Sequence, residues 1–284
     1  MSIASKKWRL ALLFFFIGAP LCFPQAYTPY NQKFDLVTKL SRNFIGLQDQ
    51  DQSYKPNTPM SIGLGFSVKN TIINIFLGYG LDDTMKSDIG KTDFLDFQLH
   101  NYSKYFIIDL FFQQYKGFYT ETGDDIVVYP DLSARQYGAE VSYLINGDKF
   151  SAKAAFGHTE KQLVSGGSFI AGTGVYLNQI EYDTDVFAGK EKFANNLRTG
   201  LTFGYAHSFV MGDHWLLSGA LTGGIQFGNN IDRLKEGEIT ANLANLLRFS
   251  VGYNTDNWGV SLDFLGNIQY YSFLNENTFN LFSG

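Results

Sequence analysis

The sequence predicts an all-β fold: a transmembrane, antiparallel, up-and-down β-barrel of about 12 strands (roughly 10–14), preceded by a cleavable signal peptide. Three observations predict it. Apolar residues alternate with small or polar ones over long stretches, tight turns alternate with long polar segments, and aromatic residues flank the tight turns.

The chain begins with a basic head, Lys6, Lys7 and Arg9, followed by an apolar run from Leu10 to Phe23 and small or turn-prone residues up to Ala26. These are the parts of a secretory signal peptide. The run contains Gly18 and Pro20 and falls short of the ~20 apolar residues that a spanning helix needs. Residues 1–26 are therefore assigned to a signal peptide and 27–284 to an exported barrel. Cys22 is the only cysteine, so the mature part carries neither a disulfide nor a thiolate ligand. Removing Lys6, Lys7 and Arg9 leaves 19 basic against 27 acidic residues, a net charge of −8. That balance argues against nucleic acid as a partner, because a binder must neutralise phosphates.

Hydrophobic residues are 45% and mean hydropathy is −0.10, and no segment after the leader reaches the ~18 apolar residues of a spanning helix. Yet the chain carries 27 Phe and 17 Tyr, with 29 Gly and only 6 Pro. A membrane barrel combines these features, since alternation hides its hydrophobicity from any running average.

Strands are expected at 36–47, 60–69, 71–80, 93–102, 104–116, 135–146, 149–159, 166–180, 195–210, 214–228, 240–254 and 257–270. In the second, Ile62, Leu64, Phe66 and Val68 alternate with Ser61, Gly63, Gly65 and Ser67; Leu201, Phe203 and Tyr205 alternate with Gly200, Thr202 and Gly204. Asn146-Gly147 is the strongest hairpin signal, because both residues tolerate the positive φ of a type I′ turn. Lys69-Asn70, Gly212-Asp213 and Asn254–Asn257 are similar. Long polar loops are expected at 48–59, 80–92, 116–134, 181–195 and 228–240. With these strands the up-down parity fails at one place, so that Gly212-Asp213 falls on the long-loop side. Either one strand is miscounted or 181–195 lies on the short-turn side.

Alternation alone suits a soluble sandwich as well as a membrane barrel. Several patterns run 10 to 15 residues, which is long for a soluble sheet and suits a tilted spanning strand of about 9–11. Tyr102 and Tyr105, Phe209 and Trp215, and Tyr253 and Trp258 bracket tight turns, as an aromatic belt would. The chain ends at Phe282-Ser283-Gly284, as if before a last strand.

Residues Tyr143 to Ser151, then Ala154-Ala155-Phe156, Glu160 to Gln162 and Ser165 to Phe169 form a familiar set. With them go Pro56-Asn57, Tyr115 to Tyr119 and Gly204-Tyr205-Ala206. Over most of 35–270 the chain resembles an uncharacterised outer-membrane β-barrel-type family of Bacteroidetes-like bacteria and some spirochaetes, domain of unknown function forty-four twenty-one. The resemblance implies location and fold and supplies no site. It also implies an aromatic C-terminal strand, which the chain lacks.

No motif for catalysis stands out. Gly90-Lys91-Thr92 ends like a nucleotide loop, but Met85 sits where the earlier glycine belongs, so an exposed loop is expected. Gly166-Gly167-Ser168-Phe169-Ile170 lacks the closing glycine of a nucleophile elbow and reads as a loop-to-strand transition. His100, His158, His207 and His214 show no helical metal-ligand spacing. His207 is in phase with Phe203, Tyr205 and Phe209, whereas Ser208 faces the other way. The sequence thus predicts no catalytic, cofactor or metal site.

The polar face carries the only candidate. Asp96, Asp109, Glu140 and Asp263, with Lys153, Arg198 and Arg248, are expected to point into the lumen as a charge network, paired because unpaired buried charge costs several kcal/mol. Asp96 and Asp109 are expected to be near neighbours. Acidic loop residues, among them Asp49, Asp82, Glu121, Asp125 and Asp183, are expected to be solvated, with weak divalent-cation binding as the functional reading.

The leading expectation is a non-enzymatic outer-membrane barrel, structural, surface-interacting or a small-solute pore, with outer-membrane lipid and the barrel-assembly machinery as partners. A membrane-embedded lipid hydrolase using His207 is one alternative. A soluble periplasmic β-barrel or sandwich binder is another.

Overall fold

A computed structural model gives the fold. It describes residues 25–31, 34–42, 44–48, 52–58, 61–77, 89–123, 125–181, 193–274 and 277–283. The signal peptide lies almost wholly outside the described residues, as do most of the segments 78–92 and 181–195.

The elements run as follows: β1 (Tyr27–Pro29), β2 (Phe34–Ser41), β3 (Ile45–Gln48), β4 (Ser53–Tyr54), β5 (Ser61–Val68), β6 (Thr71–Leu77), β7 (Asp93–Tyr102) and β8 (Phe106–Thr122). Then come β9 (Asp125–Leu144), a π-helical turn (Lys153–Gly157), β10 (Glu160–Gln162), β11 (Gly166–Glu181), β12 (Phe193–Met211) and β13 (Trp215–Asn230). A short helix α1 (Ile231–Lys235) precedes β14 (Thr240–Asn254), β15 (Gly259–Leu274) and β16 (Asn277–Ser283).

All but β1 and β10 belong to one antiparallel sheet, in the order β2-β5-β6-β7-β8-β9-β11-β12-β13-β14-β15-β16-β3-β4. Its two ends meet through the chain itself. β2 and β3 are three residues apart in sequence but flank opposite ends of the ladder, β2 pairing with β5 and β3 with β16. Their phase is unbroken. Asp35, Val37, Lys39 and Ser41 pair with the polar or glycine positions of β5, and Ile45 and Leu47 are buried. Counting β2 and β3 as one broken strand and leaving out two-residue β4, the wall has twelve strands.

Burial is inverted relative to a soluble domain. Outward residues such as Leu201, Phe203, Leu221, Leu243 and Leu262 are exposed, whereas inward Asp96, Gln136, Asn178, Arg198 and Gln269 are buried. The alternation seen in sequence is therefore real, with its apolar phase on the outside.

Four expectations need correction. The segment 149–159 is not a strand: Phe150, Ala152 and Ala155 turn into the barrel mouth and pack on Ile72, Tyr102, Ile107, Leu144 and Ile170. Asn146 and Gly147 do not form a type I′ turn, as neither has a positive φ. Gly147 is needed instead for close approach, because a Cβ there would lie 2.0 Å from the Lys104 carbonyl oxygen. Removing this strand restores the up-down parity and puts Gly212-Asp213 with the other tight turns.

The expected loop 116–134 is mostly strand. β8 and β9 continue past the neighbouring strands as a hairpin turning at Gly123, with a register shift between Lys116 and Phe118. Gly117 takes φ +93° there. Phe118 and Leu132 are buried in an apolar cluster, but the far part of the hairpin, 125–128, is exposed, so little there demands apolar alternation. Likewise, Tyr102 does not join an outer belt. It is buried inside, 3% exposed, because it falls on the inward phase with His100. Other aromatics do gather outside near the turns, as in the contacts Phe106–Tyr143 at 5.3 Å, Phe169–Tyr205 at 5.1 Å and Trp215–Tyr253 at 5.2 Å.

Candidate functional site

The lumen is built in layers. At the loop end, inward Phe94, Tyr115, Ala134, Ile180 and Ala194 sit on successive strands in one row and pack with Ile45, Leu47 and Tyr54. At the turn end lies the second apolar cluster, built around Phe150 and Tyr102. A polar layer lies between them.

A hydrogen-bonded chain crosses this layer. Gln113 Nε2 donates to Asp96 at 2.9 Å, and Gln98 Nε2 donates to Asp96 at 3.1 Å. Gln98 Oε1 lies 3.4 Å from His100 Nε2, and His100 Nδ1 is 2.6 Å from Asp109. Arg248 Nη2 pairs with the second oxygen of Asp109, and its Nη1 donates to the Tyr102 hydroxyl at 3.4 Å. Tyr102 and Phe156 thus tie Arg248 to the turn-end cluster, the Phe156 ring lying 5.8 Å from the guanidinium carbon.

Glu140 lines the same cavity and is held by Tyr176 at 2.9 Å and Ser142 at 3.3 Å. The cavity measures about 40 Å³, room for on the order of three waters. Across the lumen Gln136 meets Gln269 at 3.4 Å and Ser283 at 3.5 Å.

The structure brings Asp109, Glu140 and Arg248 together around one cavity. Asp96 joins through Gln98 and His100. It is not beside Asp109: the ladder pairs Asp96 with Gln113 and Asp109 with His100, so the two carboxylates sit four residues apart along the wall. Arg198 lies elsewhere in the lumen, donating to Asn196 at 2.7 Å and to Thr240 at 3.2 Å. Lys153 is not a wall residue, because 149–159 is not a strand. It pairs with Glu160 at 2.9 Å inside the turn-end segment. Asp263 binds Ser250 and Ser261, each at 2.6 Å, and His158 at 3.1 Å.

A family model described as a domain of unknown function (DUF4421) matches residues 27–283. The chain belongs to this family. No curated protein matches it significantly. Among solved structures it is similar to OmpT (in-vitro folded), an outer membrane protein of Vibrio cholerae, at 9% identity and a TM-score of 0.32, covering 80% of this chain and 63% of that one. This chain thus spans less than two thirds of the length of that protein. The trimer form of the same protein matches at 8% identity and a TM-score of 0.29, covering 89% and 99%.

In this DUF4421 chain sequence reasoning missed two His–carboxylate pairs, His100–Asp109 and His158–Asp263. The first was available from the hairpin register, since equal steps from the two-residue turn at 104–105 bring 100 opposite 109. The second was not, because it joins the turn-end segment to a strand 105 residues later. His207 points outward with Tyr205 and Phe209, while Ser208 is buried and bonded to Ser218 at 2.8 Å. Among the described residues no group of three His, Cys, Asp or Glu could hold a metal.

Gly90-Lys91-Thr92 is no loose loop either. Thr92 is buried, donates to the Gly117 carbonyl at 2.5 Å and accepts from the Asn57 amide. Of the acidic loop residues, Glu121 pairs with Lys55 at 2.7 Å. Asp49, Asp82 and Asp183 lie outside the described residues.

Proposed function

We propose that this DUF4421 protein is an exported barrel of the bacterial outer membrane whose lumen is closed at rest, so that it serves as a structural or surface-interacting protein and not as a standing pore. The inverted burial supports the membrane reading. In water, exposing Leu201, Phe203, Leu221, Leu243, Leu262 and their neighbours would forfeit about 25 cal/mol for every Å² of apolar surface; hydrocarbon removes that cost. Along β12 the apolar phase runs from Leu197 to Phe209, which at ~3.3 Å per residue and a ~40° tilt spans ~30 Å, the thickness of a bilayer core.

The two apolar layers support the closed lumen, with the charge-paired layer between them. The nearest rival is a small-solute pore, which the polar middle layer favours and the layers above and below oppose.

The test is refolding of residues 27–284 with planar-bilayer recording. Stable insertion without discrete openings is the expected result. Steady openings would overturn the closed lumen. A folded protein that stays out of the bilayer would overturn the membrane reading and favour a soluble binder.

A further inference from the structure

The outward phase of β14 carries one residue that does not suit hydrocarbon. Ala241, Leu243, Leu247, Phe249 and Val251 face outward and are apolar, but Asn245 shares their phase and is exposed. Among the described residues its side-chain amide has no hydrogen-bond partner. Outward Thr173, Gln179 and His207, by contrast, each find a partner within the wall. Thr173 donates to the Gly200 carbonyl at 2.9 Å, Gln179 donates to Asn195 at 2.7 Å, and His207 meets the Tyr205 hydroxyl at 3.1 Å.

Asn245 also lies deep in the apolar band. It pairs with Gly223, and Gly223 pairs with Phe203, midway along the apolar run from Leu197 to Phe209 of β12. At a ~40° tilt each ladder step moves about 3 Å in depth, so two steps keep Asn245 well inside a bilayer core ~30 Å thick. Hydrocarbon offers an amide neither donor nor acceptor. The partner that Asn245 lacks in its own wall is therefore a polar group at the same depth on another molecule.

An amide is its own complement, because it carries both donors and an acceptor. Barrels inserted in one orientation associate about axes normal to the membrane. A two-fold axis of that kind sets a residue beside it against the same residue of the second copy, at equal depth. The surroundings of Asn245 allow close approach. Its side chain leans over Gly223, where a Cβ would lie 3.2 Å from Asn245 Oδ1. At outward Gly219 the barrel's own packing does not demand glycine, since the nearest atom to an added Cβ would be the Arg248 carbonyl oxygen at 3.9 Å. Inward Gly224 differs, because a Cβ there would lie 2.3 Å from the Leu201 carbonyl oxygen.

We propose that this face of β13 and β14 is a contact between two copies of the chain, in which Asn245 of each copy donates its amide N–H to the Asn245 side-chain oxygen of the other. Exposed Leu221, Leu243 and Leu247 pack around that pair and exclude lipid from it. The inference rests on the membrane reading, because in water Asn245 would simply be hydrated.

Energy transfer between donor- and acceptor-labelled chains of residues 27–284 in dilauroylphosphatidylcholine vesicles tests it, over a range of protein-to-lipid ratios, with flotation reporting insertion. The unaltered chain should float and show transfer that falls on dilution with lipid. Asn245→Leu should keep its folded gel mobility and need at least about 10-fold more protein per lipid for half-maximal transfer. Residues 27–284 contain no cysteine, so oxidation of Asn245→Cys should give a disulfide-linked dimer, whereas Leu110→Cys, exposed on β8, should not. Chains that float and stay monomeric at every ratio would overturn this proposal alone. Transfer unchanged by Asn245→Leu would place the contact elsewhere and overturn it as well. Chains that do not float would overturn the membrane reading and this proposal with it.

Discussion

Arg248 on β14 reaches across the lumen to Asp109 on β8, although four strands of the wall lie between them. The pair acts as a strut between opposite walls. Both side chains are about nine-tenths buried, and His100 and Tyr102 occupy their remaining sites.

Breaking one side of that strut should be costly. Arg248→Met leaves a buried carboxylate with His100 alone and should destabilise the barrel by about 3 kcal/mol, whereas Arg248→Met with Asp109→Asn should recover a good part of it. Urea unfolding followed by gel mobility of the folded form measures both. Equal losses in the single and double variants would mean that the pair contributes nothing as a pair.

Two layers close the lumen, so removing one should not open it. Deleting residues 150–158 leaves the row containing Phe94 and Tyr115 in place and should leave bilayer recordings silent. Adding Phe94→Ala and Tyr115→Ala should produce discrete openings. Openings from the deletion alone would show that the loop-end layer does not seal.

Charge on the outer phase should be far more damaging than charge on the lumen phase. Phe203→Arg should cost about 2–4 kcal/mol at mid-membrane depth. Thr202→Asn, one residue away and inward, should cost under about 1 kcal/mol. The yield of refolding into lipid vesicles discriminates them, and equal yields would contradict the assignment of faces.

Some lumen glycines make room for inward aromatic rings. At Gly138 a Cβ would sit 2.0 Å from the Phe111 ring, and Phe111 lines the central cavity. Gly138→Val should push the ring toward that cavity and destabilise by about 1–3 kcal/mol. Pairing it with Phe111→Leu should restore stability, as read by the same unfolding assay. No rescue would mean that strand twist, not the ring, requires the glycine.

One clamp lies outside the spanning strands. Tyr27 of β1 donates to the Gly147 carbonyl at 2.7 Å, and burial pushes its phenol up to about 12. A raised phenol favours the neutral folded form, so this contribution is complete below about pH 10 and is lost as pH rises through the folded value. Protease cleavage within 145–165 should therefore increase above pH 10, and Tyr27→Phe should flatten that dependence. Cleavage that rises equally in Tyr27→Phe would place the sensitive group elsewhere.

The sequence by itself determined the all-β class and the faces of most strands, because side-chain phase has a period of two and can be read locally. It placed Asp109, Glu140 and Arg248 on the lumen side for the same reason. The total of about twelve strands held because 149–159, which is not a strand, offset the unread β16. Only the tertiary structure decided what phase cannot carry. Whether 149–159 runs as a strand or turns into the mouth depends on what Phe150 and Ala155 find to pack against, and those partners come from strands far away in the chain. Which charges meet depends on curvature: Arg248 finds Asp109 only once the sheet has curled enough to bring β14 over β8. The same curling put β16 between β15 and β3.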